Sequence, residues 1–303
     1  MIGMLFPFTF CLCLAAGPST ETHPIAFQRQ RQDVTIAFLE DWCDDPYGKK
    51  EYRRQVRRAF VYEHGAWSEC PRLSTEAGHV ADLGVHKWYA LRPGKVIGKV
   101  ESVPYPDIRS WQVIANTEQI IRSSLSQPPA VRDPASKFSG CSGESLSEPI
   151  ILSTKRYCGR GDVWSDTEKK PEIGAALTIL TSRQTRDSFG GEVTLLDSLS
   201  TADMKITHAF TDHAGDFLFG LEIQSSAKGH DDDFVNYYSF WFAQTPTGPI
   251  RFIGACLTPI AILDLNNDGS PEYVFWMALM RNHGYRIVFD GFSQSKTFDF
   301  AYG

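Results

Sequence analysis

From residue 204 to the C-terminus the chain is a succession of short β-branched and aromatic runs, each ended by Gly, Pro, Asn or Asp. Punctuation this frequent leaves no room for long helices and suits antiparallel hairpins. Residues 204–210 alternate in polarity, and 217–223 follow after a Gly turn. Residues 237–243 and 250–257 flank Thr245-Pro246-Thr247-Gly248, a hairpin signal. Residues 259–263 and 273–280 bracket an acidic loop, and 285–289 and 296–302 bracket Asp290-Gly291. The first half has the same grammar. Residues 34–39 are a short apolar run, and 53–67 predict strand, turn, strand around His64-Gly65. Residues 87–100 do so around Arg92-Pro93-Gly94-Lys95, with Pro and Gly where a β-turn wants them. A stretch at 149–158 also suits a strand. Helical spacing occurs over 172–185, apolar at 173, 176, 177 and 180, and over 111–125, where Thr117 is a candidate cap. The expected fold is mainly β (α+β): antiparallel sheets and hairpins, one or two short helices, and a sandwich-like or propeller-blade-like C-terminal part. No repeat of about 20–50 residues recurs, so no repeat array is expected.

Residues 1–20 hold no charged side chain, and residues 4–16 are almost unbroken apolar. That run is shorter than the roughly 20 residues a bilayer span needs. Ala15, Ala16 and Gly17 follow it, as at a signal-peptidase site, although no Lys or Arg precedes it. Residues 1–20 are therefore expected to be a signal peptide, against the alternative of a buried first strand. The mature protein is expected to be secreted or periplasmic, with no integral membrane span. The predicted organisation is a β-rich region over 21–125, a loop-rich connection over 126–171 where Ser, Pro and Gly accumulate, and a β-rich region over 172–303. A formal charge of -6 and a pI near 5.8 argue against nucleic acid and against an anionic membrane surface as partner. Five of the seven cysteines lie beyond the leader, and export favours oxidation. Nearest-neighbour pairing joins Cys43 to Cys70 and Cys141 to Cys158. Cys256, in an apolar run, is expected to be a buried small hydrophobe.

Asp264-Leu265-Asn266-Asn267-Asp268-Gly269-Ser270-Pro271-Glu272 places oxygen-bearing side chains at its first, third, fifth and ninth positions and Gly at its sixth. Alternate side chains of a tight loop converge on one centre, and Gly269 permits the bend that closes it. Three carboxylates and an amide oxygen suit a hard cation, Ca²⁺ before Mg²⁺. The twelfth position is Phe275, so the closing Glu of an EF-hand is missing, and the exit is strand-like. The stretch resembles instead the FG-GAP/VCBS-type repeat, in which an apolar strand runs into such a loop and out into a second strand. The resemblance covers residues 259–303, in a single copy, with Asn266 in place of a carboxylate. It implies Asp264, Asn266 and Asp268 as side-chain ligands, Ser270 as a backbone-carbonyl ligand and Glu272 as the closing carboxylate. The tail 261–303 is also similar to the C-terminal end of a group of exported bacterial proteins, a likeness that carries no activity. The competing reading of Asn266-Asn267-Asp268-Gly269 is a plain hairpin turn, but such a turn requires neither Asp264 nor Glu272.

Other constellations point less far. Asp231-Asp232-Asp233 lacks alternating spacing and suits a solvated loop. Gly140-Cys141-Ser142-Gly143-Glu144 lacks the last glycine of a nucleophile elbow. The eight histidines include no HExxH, and each is expected to be a surface or hydrogen-bonded His. Arg53, Arg54, Arg57 and Arg58 suit a solvated strand edge. Trp88, Trp111, Trp164, Trp241 and Trp276 suit core packing before sugar stacking. No catalytic residue emerges. The expectation is an exported protein that binds Ca²⁺ structurally and a protein or glycan partner. The alternative is a secreted hydrolase, with carbohydrate as one substrate class, whose calcium stabilises the fold.

Overall fold

The structure, a computed structural model, describes residues 33–44, 51–71, 84–105, 116–125, 148–156, 164–168, 171–182, 200–224, 239–278 and 282–301. Residues 1–20, expected to be a signal peptide, and Trp111, Cys141, Ser142, Cys158 and Asp231 to Asp233 lie outside them.

Sixteen strands and one helix form among these residues. In the first part they are β1 (Val34–Asp44), β2 (Glu51–Glu63), β3 (Ala66–Glu69), β4 (His86–Arg92), β5 (Lys95–Pro104), β6 (Thr117–Ser123) and β7 (Ile150–Ser153). They pair antiparallel in the order β1-β7-β4-β5-β6-β2-β3, and β1 also pairs with β2. That last pairing closes a six-strand barrel, with β3 as an annex on β2. Alternation along β1 shows the two faces. Ile36 and Phe38 point outward to the next layer, while Ala37 and Leu39 join Val56, Trp88, Ala90, Val100 and Leu152 inside. A barrel of this strand number is filled by its own side chains.

After β8 (Ser165–Asp166), α1 (Ile173–Leu180) and a 3-10 turn (Thr201–Asp203) come two four-strand meanders. The first is β9 (Met204–Thr211), β10 (Phe217–Ile223), β11 (Ser239–Gln244) and β12 (Arg251–Ala255), with β8 added at the β9 edge. The second is β13 (Leu257–Leu263), β14 (Glu272–Ala278), β15 (Asn282–Phe289) and β16 (Gln294–Ala301). The second meander is the middle layer. Val274, Trp276, Tyr285, Ile287 and Phe298 pack on the barrel, whereas Tyr273, Phe275, Met277 and Val288 pack on Leu218, Trp241 and Ala243 of the first meander. The far face of that meander, Phe217, Phe219 and Phe242, is covered by Ala176 and Leu180 of α1. The protein is mainly β, as the turn spacing predicts. No helix among the described residues is long and apolar enough to cross a membrane.

Three expectations are corrected. Residues 117–123 form strand β6, not a helix, and Thr117 caps nothing. The segment finds partners on both sides: Thr117, Glu118 and Gln119 pair with β2, and Glu118, Gln119, Ile120, Arg122 and Ser123 pair with β5. The basic run is not a solvated edge. Strand β2 is paired on both edges, and Arg57 is 1% exposed, bonded to Glu40 and lying 3.6 Å over the Phe300 ring. The Cys43–Cys70 disulfide is not made. Cys43 lies across from Tyr52, while the Cys70 N–H bonds the Ala59 carbonyl, seven residues further along β2. That is about 23 Å at ~3.3 Å per residue, well beyond the roughly 7 Å between Cα atoms that a disulfide spans. Cys70 is a free, buried thiol, and Cys256 is buried, as expected.

The barrel and the middle sheet are joined by polar contacts as well as apolar ones. Glu40 Oε1 accepts from Gln55 and Arg57, and its Oε2 accepts the Tyr285 hydroxyl at 2.6 Å. Tyr285 also stacks flat on Phe38, centroids 3.5 Å apart. A buried carboxylate needs such a complete set of donors to be tolerated.

Candidate functional site

The acidic loop connects β13 to β14, whose last and first residues, Leu263 and Glu272, are register partners. It is therefore a strand–loop–strand element. Asn267 and Gly269 take positive φ, 60° and 95°, and turn the chain tightly enough for short-range bonds. The Asp268 N–H bonds Asn266 Oδ1 (2.9 Å), the Ser270 N–H bonds Asp268 Oδ1 (2.8 Å), and the Gly269 N–H bonds Asp264 Oδ2 (3.1 Å). Asn266 Nδ2 donates to Asp268 Oδ2. Asp264, Asn266 and Glu272 are buried, and Ser270 is exposed.

Glu272 is the most deeply buried carboxylate of the loop. Its Oε2 accepts the Leu265 N–H at 2.6 Å and its Oε1 accepts Trp67 Nε1–H, from β3, at 3.3 Å. Burial, then the nearby charges of Asp268 and Asp264, still push its pKa up to about 8 against the relief those bonds give. No cation is among its causes. The donor set therefore suits a hard cation in chemistry and in charge. Among the described residues no three Asp, Glu, His or Cys side chains converge closely enough to hold an ion by themselves. An ion here would need the Asn266 amide oxygen and the Ser270 carbonyl as well. The N–H bonds do not preclude it, since each carboxylate oxygen accepts at about two sites.

A second polar cluster, invisible as a motif, lies at the end of the barrel where β4 and β6 begin and β5 finishes. Glu118 of β6 is fully buried. The Trp88 Nε1–H donates to Ser102 Oγ (2.7 Å), so the single hydroxyl proton of Ser102 goes to Glu118 Oε2 (2.6 Å). Glu118 Oε1 faces His86 Nδ1 at 2.9 Å and Arg58 Nη1 at 3.6 Å. Cys70 contacts Arg58, and burial raises its thiol pKa, outweighing the lowering by the Arg58 charge and hydrogen bond. Asn116 enters β6 at a φ of 56° and locks Arg58 in place. Its carbonyl takes the Arg58 N–H, while its Nδ2 reaches the Arg58 and Pro71 carbonyls. Sequence reasoning missed this cluster, having placed Thr117 and Glu118 on a helix and Arg58 on a solvated edge. A Glu at the start of a β-branched run with a Ser in the preceding one was the available signal.

The remaining expected features are accounted for simply. Trp88 and Trp241 are core residues, Trp276 lies between barrel and middle sheet, and Trp164 is partly buried against Tyr273 and Phe292. His208 stacks with Phe210 and Trp241 on the first meander. Compared with protein-family models, with curated proteins and with solved structures, the chain matches none.

Proposed function

We propose that this is an exported, non-catalytic calcium-binding protein, in which Ca²⁺ in the loop 264–272 fastens β13 to β14 and steadies the middle sheet against the barrel. The observation that carries the reading is Glu272. It is 1% exposed, with its pKa raised by burial and by two neighbouring aspartates. Burying a carboxylate beside groups of its own sign is costly, and a divalent cation next to it removes that cost. Asp264, Asn266, Asp268 and Glu272 would hold the ion by side-chain oxygens and Ser270 by its carbonyl. The ion supplies positive charge only. Its consequences reach the barrel through the Trp67–Glu272 hydrogen bond. A layered β scaffold of this kind, with its charges tied down, suits presentation of a surface to a protein or glycan partner.

The test is a calorimetric titration of the full chain with Ca²⁺, paired with thermal melts in Ca²⁺ and in chelator. Saturable binding is expected, with a stabilisation of about 2.7 kcal/mol when free Ca²⁺ is about 100 times Kd. Asp264→Ala and Asp268→Ala should lower the melting temperature in Ca²⁺ and change it little in chelator. Equal losses in both conditions reject a metal role.

A further inference from the structure

We propose that the barrel end built around Glu118 is a binding site for a small oxyanion, of the phosphate or carboxylate kind, with Arg58 and His86 as the groups that hold it. The guanidinium and the imidazole come from different strands, β2 and β4, yet both reach the same oxygen, Glu118 Oε1, within 3.6 Å. They are therefore gathered at one point. The cluster is also layered. Glu118 and Ser102 are 0% exposed and Trp88 is 2% exposed, whereas the Arg58 and His86 side chains are 16% and 28% exposed. The acid stands behind, and the guanidinium and imidazole stand in front, toward solvent.

The hydrogen-bond count leaves the front unfinished. Glu118 is occupied by Ser102, His86 and Arg58. Its contact with His86 uses Nδ1, which turns Nε2, the second ring nitrogen, away from the carboxylate. Its contact with Arg58 is a single 3.6 Å approach, not a two-pronged pair, and the planar fork of a guanidinium carries five N–H donors. A planar or tetrahedral oxyanion takes up such donors in pairs. The barrel mouth is also a common place for small ligands. The backbone is arranged for the same end. Asn116 holds a left-handed conformation while fully buried and grips the Arg58 peptide from both sides. A backbone cost of this kind persists where the surroundings enforce it, and it fixes the stem of Arg58.

The probes are inorganic phosphate and acetate, titrated into the full chain at constant ionic strength set with sodium chloride, at pH 6, in chelator so that the acidic loop is silent. Saturable binding of either, read by calorimetry and by a rise in melting temperature, is expected in the unaltered protein. Preference between the two identifies the oxyanion. Arg58→Gln should weaken it at least tenfold, and His86→Gln by a smaller factor, with calcium binding at the distant loop unchanged. Should Arg58→Gln fold poorly, the His86 ring resonances of the unaltered protein give the same answer by shifting with phosphate or acetate. The proposal is overturned if neither anion binds saturably, or if both variants bind as the unaltered protein does. Neither result touches the calcium reading, which has its own titration.

Discussion

Glu118 and Glu272 are both buried to within 1% of complete, and their surroundings could hardly differ more. Glu118 faces a guanidinium, an imidazole and a hydroxyl. Glu272 faces only neutral N–H groups, and its charged neighbours, Asp264 and Asp268, carry its own sign. The first carboxylate has counter-charge built from the protein's own side chains. The second has no cationic side chain among the causes of its shift, and burial, then Asp268 and Asp264, push its pKa up to about 8. A buried acid is tolerated either by a complete set of partners or by giving up its charge. This protein does one at the barrel end and leaves the other open at the loop.

The widest separation between the two glutamates should appear in the pH dependence of stability. With Ca²⁺ removed, the folded-state pKa of Glu272 stands above its ordinary value of 4.5, at about 8, so the folded protein holds the proton more tightly. The stability this confers is fully present below pH 4.5 and is lost as pH rises through about 8. The loss is on the order of 5 kcal/mol across that window. Urea unfolding at a series of pH values in chelator checks it. Glu272→Gln, which cannot ionise, should flatten the profile and be the more stable form at pH 8.5. Adding Ca²⁺ should flatten the profile of the unaltered protein too. A slope that survives Glu272→Gln assigns the effect to another group and removes the contrast.

The same substitution at the barrel end should have the opposite sign. Glu118→Gln keeps the shape but leaves Arg58 and His86 facing each other without the charge that gathers them. Breaking a largely buried pair in this way costs about 3 kcal/mol, and Arg58's partial exposure places it at the lower end of such losses. Denaturant midpoints at pH 7 decide the matter. A neutral or stabilising Glu118→Gln would mean the carboxylate is not the anchor of the cluster.

The two sites were unequally legible in sequence for a physical reason. The loop's oxygens lie within nine consecutive residues, so local spacing alone brings them to one element, and strand–loop–strand was readable from the apolar runs on either side. The barrel-end cluster takes Arg58, His86, Ser102 and Glu118 from four strands. Only the closure of β1 onto β2 and of β6 between β2 and β5 brings them together. No local pattern encodes that. Residues 111–125 show the same limit from the other side. Apolar spacing suited a helix, but hydrogen-bonding partners on both edges decided for a strand. The cysteines fail likewise. Cys43 and Cys70 are neighbours in order along the sequence, but Cys43 lies against Tyr52 near the start of β2, whereas Cys70 follows β3, which pairs with the far end of β2. The one helix that local spacing did capture, α1, needs only its own apolar face and a sheet to lie on.

The smallest expected effect tests whether the loop and the barrel communicate at all. Trp67 is 2% exposed, packs on Tyr62 with ring centroids 5.1 Å apart, and sends its indole N–H to Glu272 at 3.3 Å. Trp67→Phe keeps most of the packing and deletes the donor, but it also shrinks the side chain, so the single change mixes two effects. A double-mutant cycle with Glu272→Gln separates them, because the volume lost at Trp67 is the same on either background. A coupling of about 0.5–1.5 kcal/mol is expected in chelator, the usual net value of one buried hydrogen bond. Repeating the cycle in Ca²⁺ sharpens the test, since an ion on Glu272 keeps the carboxylate charged and strengthens its hold on the indole proton. A coupling of zero in both conditions would make the loop a local fastening of β13 to β14 alone, with the barrel held to the middle sheet by Glu40, Tyr285 and the apolar contacts around them.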